Sequence, residues 1–544
     1  MTDPLRAAIR GLFCASALCA VLTAPVLAAE VPAGTKLADE QTFSTSVGAA
    51  IGAFDPQLAE DTDQSAVINN LFEGLYSEDD KGNLVPALSD GYTLSDDRTV
   101  YTFKIKAANW SNGDPVTAQD FVFAWRRAVD PALASNYAYF LGLAGILNAD
   151  DIVAGQKKPE ELGVRAIDDK TLEVTLSSPR PYFPMTLTQT TLFPVPQNVV
   201  EAFGKDWLKP ENIVGNGAYV LKSNSPGEVV VLVRNPRYRD DAKTVINEVR
   251  FVTITDEAQE VARYLSGEVD HVGVPTGQLP KFKAEYPNEV TVAPRLCTYY
   301  FDVNVGAKAS NKALTDQRVR EALYLAIDRD VLINNVLQGG QIPAYFLTPA
   351  ATAGFTTPDV PALNMTQAER NERAKALLAE AGYGPDNPLK FEYIYNTGEG
   401  HKKIAVVVAQ MYKETLGVEM TIRDMEWATL LDTRHQQNFE VSRSAWCGDY
   451  NEASTFLSLV DTKSTQNSSG YSNAEIDKLL ADSATKDDPT ADYTRIEQIL
   501  ATDLPIIPVY HYTSNALMKT NVKGWPYDNV EGKWYAKDLY KIAE

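Results

Sequence analysis

The stretch Leu389-Lys390-Phe391-Glu392-Tyr393-Ile394-Tyr395-Asn396, together with the residues onward to Met425, decides the fold class. Apolar and polar residues alternate from Leu389 to Tyr393, the pattern of a half-buried strand. Thr397-Gly398-Glu399-Gly400 is a turn. The run from about residue 401 to Leu416 reads as a helix, and Gly417 stops it. Val418 to Met425 reads as a second strand. Strand, helix and strand in this order make a βαβ unit, and its two strands must run parallel. This implies a mixed α/β architecture with a parallel sheet in the C-terminal half.

Outward from this unit the same mixture continues. Tyr101-Thr102-Phe103-Lys104-Ile105 and Leu172-Glu173-Val174-Thr175-Leu176 alternate as strands, and Val229 to Val233 is a continuous apolar run expected of a central strand. Thr117, with Asp120 three residues on, opens a helix. Thr315 opens another, with Val319, Ala322, Leu323, Ala326 and Ile327 as its apolar stripe. Thr366-Gln367-Ala368-Glu369 is a capping box, and its helix ends near Gly382. There is no repeat, low-complexity tract or Pro-rich linker. Lobes should therefore be joined by crossing strands.

The chain has 544 residues and a net charge of −22. That length is worth roughly three or four domains, and 44% hydrophobic residues can fill their cores. The acidity argues against nucleic acid and anionic membrane surfaces, which select basic faces. Residues 1–28 read as a signal peptide: Arg6 and Arg10, an apolar run from Leu12 to Leu22, then Val26-Leu27-Ala28 as cleavage site. The run is too short to span a bilayer, which takes about 20 apolar residues. Leu18 before Cys19 and Phe13 before Cys14 argue against a lipid anchor. Removing two arginines and one aspartate with the signal leaves −23. A soluble exported chain is expected, with Cys297 and Cys447 as its two cysteines. In an oxidising compartment these form one disulfide or remain as two buried thiols.

Catalytic signatures are missing. There is no HExxH, Gly-x-Ser-x-Gly, P-loop or CxxC, and His271, His401, His435 and His511 show no metal-ligand spacing. Carboxylates are plentiful, so a hydrolase using an acid pair stays open on the residues alone.

A set of ordered blocks then resembles a known family, the periplasmic oligopeptide-binding proteins of ABC peptide importers, from about Glu30 to Tyr540. The blocks include Leu71-Phe72-Glu73-Gly74-Leu75, Trp110-Ser111-Asn112-Gly113-Asp114 continuing to Phe121, Gly215-Asn216-Gly217-Ala218-Tyr219, Arg263 to Asp270, and Arg443-Ser444-Ala445-Trp446-Cys447-Gly448-Asp449. The resemblance implies a type II-like periplasmic binding protein: two α/β lobes with a hinge, plus an extra domain in the N-terminal half. The implied division is residues 29–72 with 197–296 and 517–544 as one lobe, 73–196 as the extra domain, and 297–516 as the other lobe.

The same resemblance assigns site roles. Asp449 matches the aspartate that holds the α-ammonium group of the peptide. Glu60 and Thr62 fall on the segment that pairs with the peptide backbone. Tyr137 and Trp427 match pocket aromatics, and Trp446 and Cys447 lie in the binding block. Arg434, His435, Arg443 and His401 match basic residues facing ligand side chains or the carboxyl end. Cys297 and Cys447 match the family's disulfide. No catalytic residue, metal or other cofactor is expected; the expected partners are an oligopeptide and a membrane permease, for a monomer in the periplasm. Leu337 stands where the family prototype has a lysine that helps meet the carboxylate of some ligand lengths. Thr352-Ala353-Gly354-Phe355-Thr356 and Ala381-Gly382-Tyr383-Gly384-Pro385 look closer to the murein-peptide branch. That branch lacks the cysteine pair, so murein tripeptide ranks second as ligand.

Overall fold

The computed structural model describes residues 29–52 and 54–543. The expected signal segment lies outside the described residues. Among these, no helix is long and apolar enough to cross a membrane.

The βαβ unit is present. Strands Lys390–Asn396 and Glu419–Met425 pair in parallel over seven residues, joined by the helix Glu399–Leu416. The helix starts two residues before the expected position, and Gly417 ends it at φ 69°, a conformation that glycine adopts without strain. The helix buries Ile404, Ala405, Val408 and Tyr412 against the sheet side of the lobe.

This unit is one end of an 11-stranded mixed sheet. The order runs Glu419–Met425, Lys390–Asn396, Val441–Cys447, Val290–Val303, Ile506–Met518, His271–Gly273, Thr42–Val47, Glu248–Thr253, Val229–Arg234 and Tyr219–Ser225. The short strand Ile342–Pro343 pairs beside Ile506–Met518. Two members are long: Val290–Val303 has 14 residues and Ile506–Met518 has 13. They pair antiparallel with each other, and their register shifts between Pro294 and Thr298. Before the shift Val290–Pro294 pairs only within the half sheet that holds Thr42–Val47. After it, Cys297–Val303 pairs with Val441–Cys447 in the other half. These two strands carry the chain from one half to the other, as the lack of linkers implied.

A separate four-stranded antiparallel sheet, Ser89–Leu94, Val100–Ile105, Thr171–Thr175 and Val164–Asp168, lies in the N-terminal half. The helix Ala118–Val129 packs on it, capped by Thr117 and Asp120. Its core is continuous with Phe43, Tyr219 and Tyr450 from elsewhere in the chain.

Two local expectations change. Val229–Arg234 is not a buried central strand. It sits one place from the sheet edge, and only Val230 and Leu232 on its inner face are buried. A run of valines broken only by Leu232 hides that alternation. The helix expected from Thr315 is Gln317–Leu325, capped by Asp316; Thr315 closes the preceding turn. The expected stripe is buried throughout.

The Gly215-Asn216-Gly217 block clamps the helix Thr62–Leu71, whose start faces the space between the half sheets. A side chain on Gly217 would come within 2.6 Å of the Asn70 carbonyl oxygen, and one on Gly215 within 2.2 Å of that of Leu71. Asn216 accepts from the Glu73 amide at 2.9 Å and donates to its carbonyl at 3.0 Å. Glycine permits the close approach, and the asparagine locks it.

Candidate binding cleft

A cavity of about 590 Å³ opens where the two half sheets meet, within the usual range for ligand sites. The two long strands supply Thr291, Arg295, Cys297, Tyr512 and Asn515 to its wall. The Val441–Cys447 strand supplies Arg443, Ala445 and Trp446, and the start of the helix Thr62–Leu71 supplies Asp61 to Asp63.

Asp449 is a buried acid of this wall, 7% exposed. Its Oδ1 accepts from the Gln189 side-chain amide at 2.5 Å and from the Tyr137 hydroxyl at 3.3 Å. Its own backbone amide donates to Thr455 Oγ1 at 3.0 Å. Burial pushes its carboxyl up to about 7, against the nearby Lys533 charge and the Gln189 and Tyr137 hydrogen bonds. Lys533 does not bond that carboxylate. Its ammonium donates to Glu78 at 2.5 Å, Glu531 at 2.7 Å and the Asp449 backbone oxygen at 3.0 Å. Burial works against the Lys533 charge, but Glu531 and Glu78 override it and hold its pKa above the ordinary value.

Cys297 and Cys447 are bonded, and they stand opposite each other in the antiparallel ladder. The link ties the long strand to the segment that leads into Asp449. Both cysteines line the cavity.

Tyr137 and Trp446 lie parallel, with ring centroids 6.3 Å apart, at the Asp449 end. The Trp427 indole N–H donates to Asp61 Oδ2 at 3.3 Å. Glu60 accepts from Asn136 at 2.7 Å and meets His435 Nε2 at 3.3 Å; burial raises its pKa. Thr62 opens the helix and lines the cavity. Arg434 is paired to buried Asp302 at 3.2 Å. Arg443 lies over the rings of Tyr299 and Trp427 at 5.2 and 5.9 Å and donates to Tyr512 Oη at 3.1 Å, a cation–π arrangement. Its Nε has no partner.

Two expected residues stand apart from the cavity wall. His401 stacks on Tyr299 at 5.8 Å, and burial first, then Arg443, drives its pKa well below the imidazole value. His435 is held between Glu60 and Asn136, with burial lowering its pKa. Gln189, Lys533, Arg295 and Asp63 belong to the wall, yet sequence reading does not single them out. Asp63 is the neighbour of Thr62 in the polar run 60–65, whereas Gln189, Arg295 and Lys533 lie in three separate segments that only the folded chain brings to the cleft. Among the described residues no cluster of His, Cys, Asp and Glu is placed to hold a metal ion.

Residues 83–468 match the family described as bacterial extracellular solute-binding proteins, family 5 Middle. The chain belongs to this family. Its members similar to the chain include the periplasmic oligopeptide-binding protein OppA of Salmonella typhimurium, 44% identical over 98% of each chain. The solved murein tripeptide binding protein MppA of Escherichia coli superposes with a TM-score of 0.91 at 41% identity, covering 94% of this chain and all of that one. Haemophilus influenzae OppA in complex with the peptide RPPGFSPFR gives 0.89 at 39% identity, covering 93% and 100%. The unliganded open form of MppA, at 41% identity and covering 94% and 99%, gives only 0.68. This family 5 chain therefore has its halves in an arrangement unlike that open form. The bonds from Tyr137, Gln189 and Lys533 to Asp449, and from Trp427 to Asp61, cross between segments that an open cleft would separate.

Proposed function

We propose that the chain captures oligopeptides in the cleft and delivers them to the membrane permease of an ABC importer, from the periplasm, as a monomer and without chemistry on the ligand. The observation that carries this reading is Asp449: a buried carboxylate in a cavity wall, held by neutral donors, with no protein cation on its oxygens among the described residues. A free peptide amino terminus is a cation that every unblocked peptide has. One fixed carboxylate therefore sets the register for any sequence, by a charge-assisted hydrogen bond in a water-poor site. Glu60 and Thr62 would pair with the peptide backbone, which gives affinity without sequence preference. Trp427, Trp446 and Tyr137 would border side-chain pockets, with Arg434 and Arg443 supplying positive charge toward side chains or the carboxyl end; His401 and His435, off the wall and with lowered pKa values, would add no charge there. The lobe boundaries at 296/297 and 516/517 fall inside the two long strands, and a bend there would open and close the cleft.

Murein tripeptide is the second reading, favoured by the 0.91 TM-score to MppA. Calorimetry with mixed tri- to pentapeptides tests the two. Heat with ordinary peptides supports the first. Silence with all of them beside tight binding of the murein tripeptide supports the second.

A further inference from the structure

The cleft holds a second charged group whose partner is missing from the protein. Arg295 lies on the long strand Val290–Val303, at the register shift between Pro294 and Thr298, and lines the cavity. Among the described residues no hydrogen bond or ion pair engages its guanidinium. The other arginines of the wall are engaged: Arg434 by Asp302, Arg443 by Tyr512. The carboxylate that Arg295 feels is Glu531, whose oxygen is taken by Lys533 at 2.7 Å. His271 also feels Arg295, but burial and that charge lower its pKa to about 4, so it stays neutral. Its ring packs on Trp525 at 4.5 Å and its Nδ1 meets Thr45 Oγ1 at 3.0 Å.

Room for the guanidinium is built into the backbone. It rests on Gly532, where any side chain would fall 1.6 Å from Arg295 Nη1. A guanidinium stays charged at any physiological pH and carries five donors, and that of Arg295 is half-buried in the cavity wall. A wall that positions such a group over a glycine, beside an engaged carboxylate and a neutral imidazole, is matched to an incoming planar anion. Carboxylates meet guanidinium two bonds at a time.

We propose that Arg295 is a subsite for a ligand carboxylate, so that the cleft favours peptides bearing an acidic group at one fixed place along their length. This rests on the peptide reading of the cleft. The carboxylate comes either from an Asp or Glu side chain or from the chain end of a short peptide.

The test is calorimetry on the wild-type protein, Arg295→Gln and Arg295→Lys. The ligands are tetra-alanine, as free acid and as C-terminal amide, and its amidated variants with Glu or Gln at each position in turn. The expected result is a gain of about tenfold for Glu over Gln at one position, or for acid over amide, that disappears in Arg295→Gln. The gain is read as a ratio within each protein, so a general change in affinity on substituting Arg295 cancels. The arm that shows the gain identifies the source of the carboxylate. Arg295→Lys should keep part of the gain, because it keeps the charge and loses the fork. Equal binding of Glu and Gln peptides at every position, and of acid and amide, overturns the proposal, as does a gain that survives Arg295→Gln. If tetra-alanine binds normally in those cases, the peptide reading stands. If no tetrapeptide binds at all, it is the peptide reading that fails.

Discussion

The Gln189 side-chain amide donates to Oδ1 of Asp449 at 2.5 Å, joining residues 260 positions apart across the cleft. The bond orients the acid and leaves its second oxygen to the cavity and to Thr455 at 3.5 Å. Replacing Gln189 by Leu removes a donor that favours the carboxylate. Peptide affinity at pH 7 should fall about tenfold, by loss of a charge-assisted bond worth roughly 1.5 kcal/mol. Calorimetry of the purified variant measures it, and an unchanged affinity would show that the amide does not position the acid.

Affinity should depend on pH through Asp449. Burial raises its folded pKa from the ordinary 3.8 to about 7 in the empty cleft. A raised acid binds more protons folded than unfolded, so its stability contribution is present below about 4 and lost as pH rises through about 7. An ammonium ligand needs the ionised form. Binding at pH 6 should therefore release a proton, read as a heat that varies with the ionisation enthalpy of the buffer. At pH 8.5 Asp449 is already ionised, so release gives way to uptake of a proton by the peptide amine, whose ordinary pKa is about 8, and affinity should weaken as pH falls below 7. A pH-independent affinity from 5 to 8.5 contradicts the assignment.

Reduction of Cys297–Cys447 should destabilise the protein. The bond closes a loop with a sequence separation of 150, worth about 4–5 kcal/mol in the chain-entropy model. Scanning calorimetry with and without reductant, and on the double Cys→Ala variant, should show a clear fall in Tm for both. A Tm that does not move would mean that the link constrains neither state.

Peptide should compact the molecule. The bonds made by Asp61, Tyr137, Gln189 and Lys533 that span the cleft are those an open form gives up. Small-angle scattering should give a smaller radius of gyration with saturating peptide than without. Identical profiles would remove the hinge from the mechanism.

The legible parts of this chain are those whose signals are local. The alternation at Leu389–Tyr393, the stop at Gly417 and the capping box at Thr366 each act within a few residues, and each element is found. The pairing of Cys297 with Cys447 is implied by a family resemblance, and the ladder register explains it. Val229–Arg234 misleads because valine on both faces conceals which face is buried. The cleft itself is readable only in part. Asp449 sits in a recognisable block, but Gln189, Lys533 and Arg295 come from three separate segments with no pattern of their own. Their meaning lies in what each does or does not bond after folding. His401 shows the converse: it matches a family position, yet its ring stacks on Tyr299 and is not part of the wall.

If Asp449 holds a peptide by its amino terminus, the most direct measurement is calorimetry of one tripeptide with a free amino terminus and its N-acetylated form, each against wild type and Asp449→Asn. Tight binding is predicted only for the free amine on wild type, with acetylation and Asp449→Asn each costing about 3–5 kcal/mol, the penalty for breaking a buried charge pair. Equal binding of the free and acetylated peptides by the wild-type protein would contradict it.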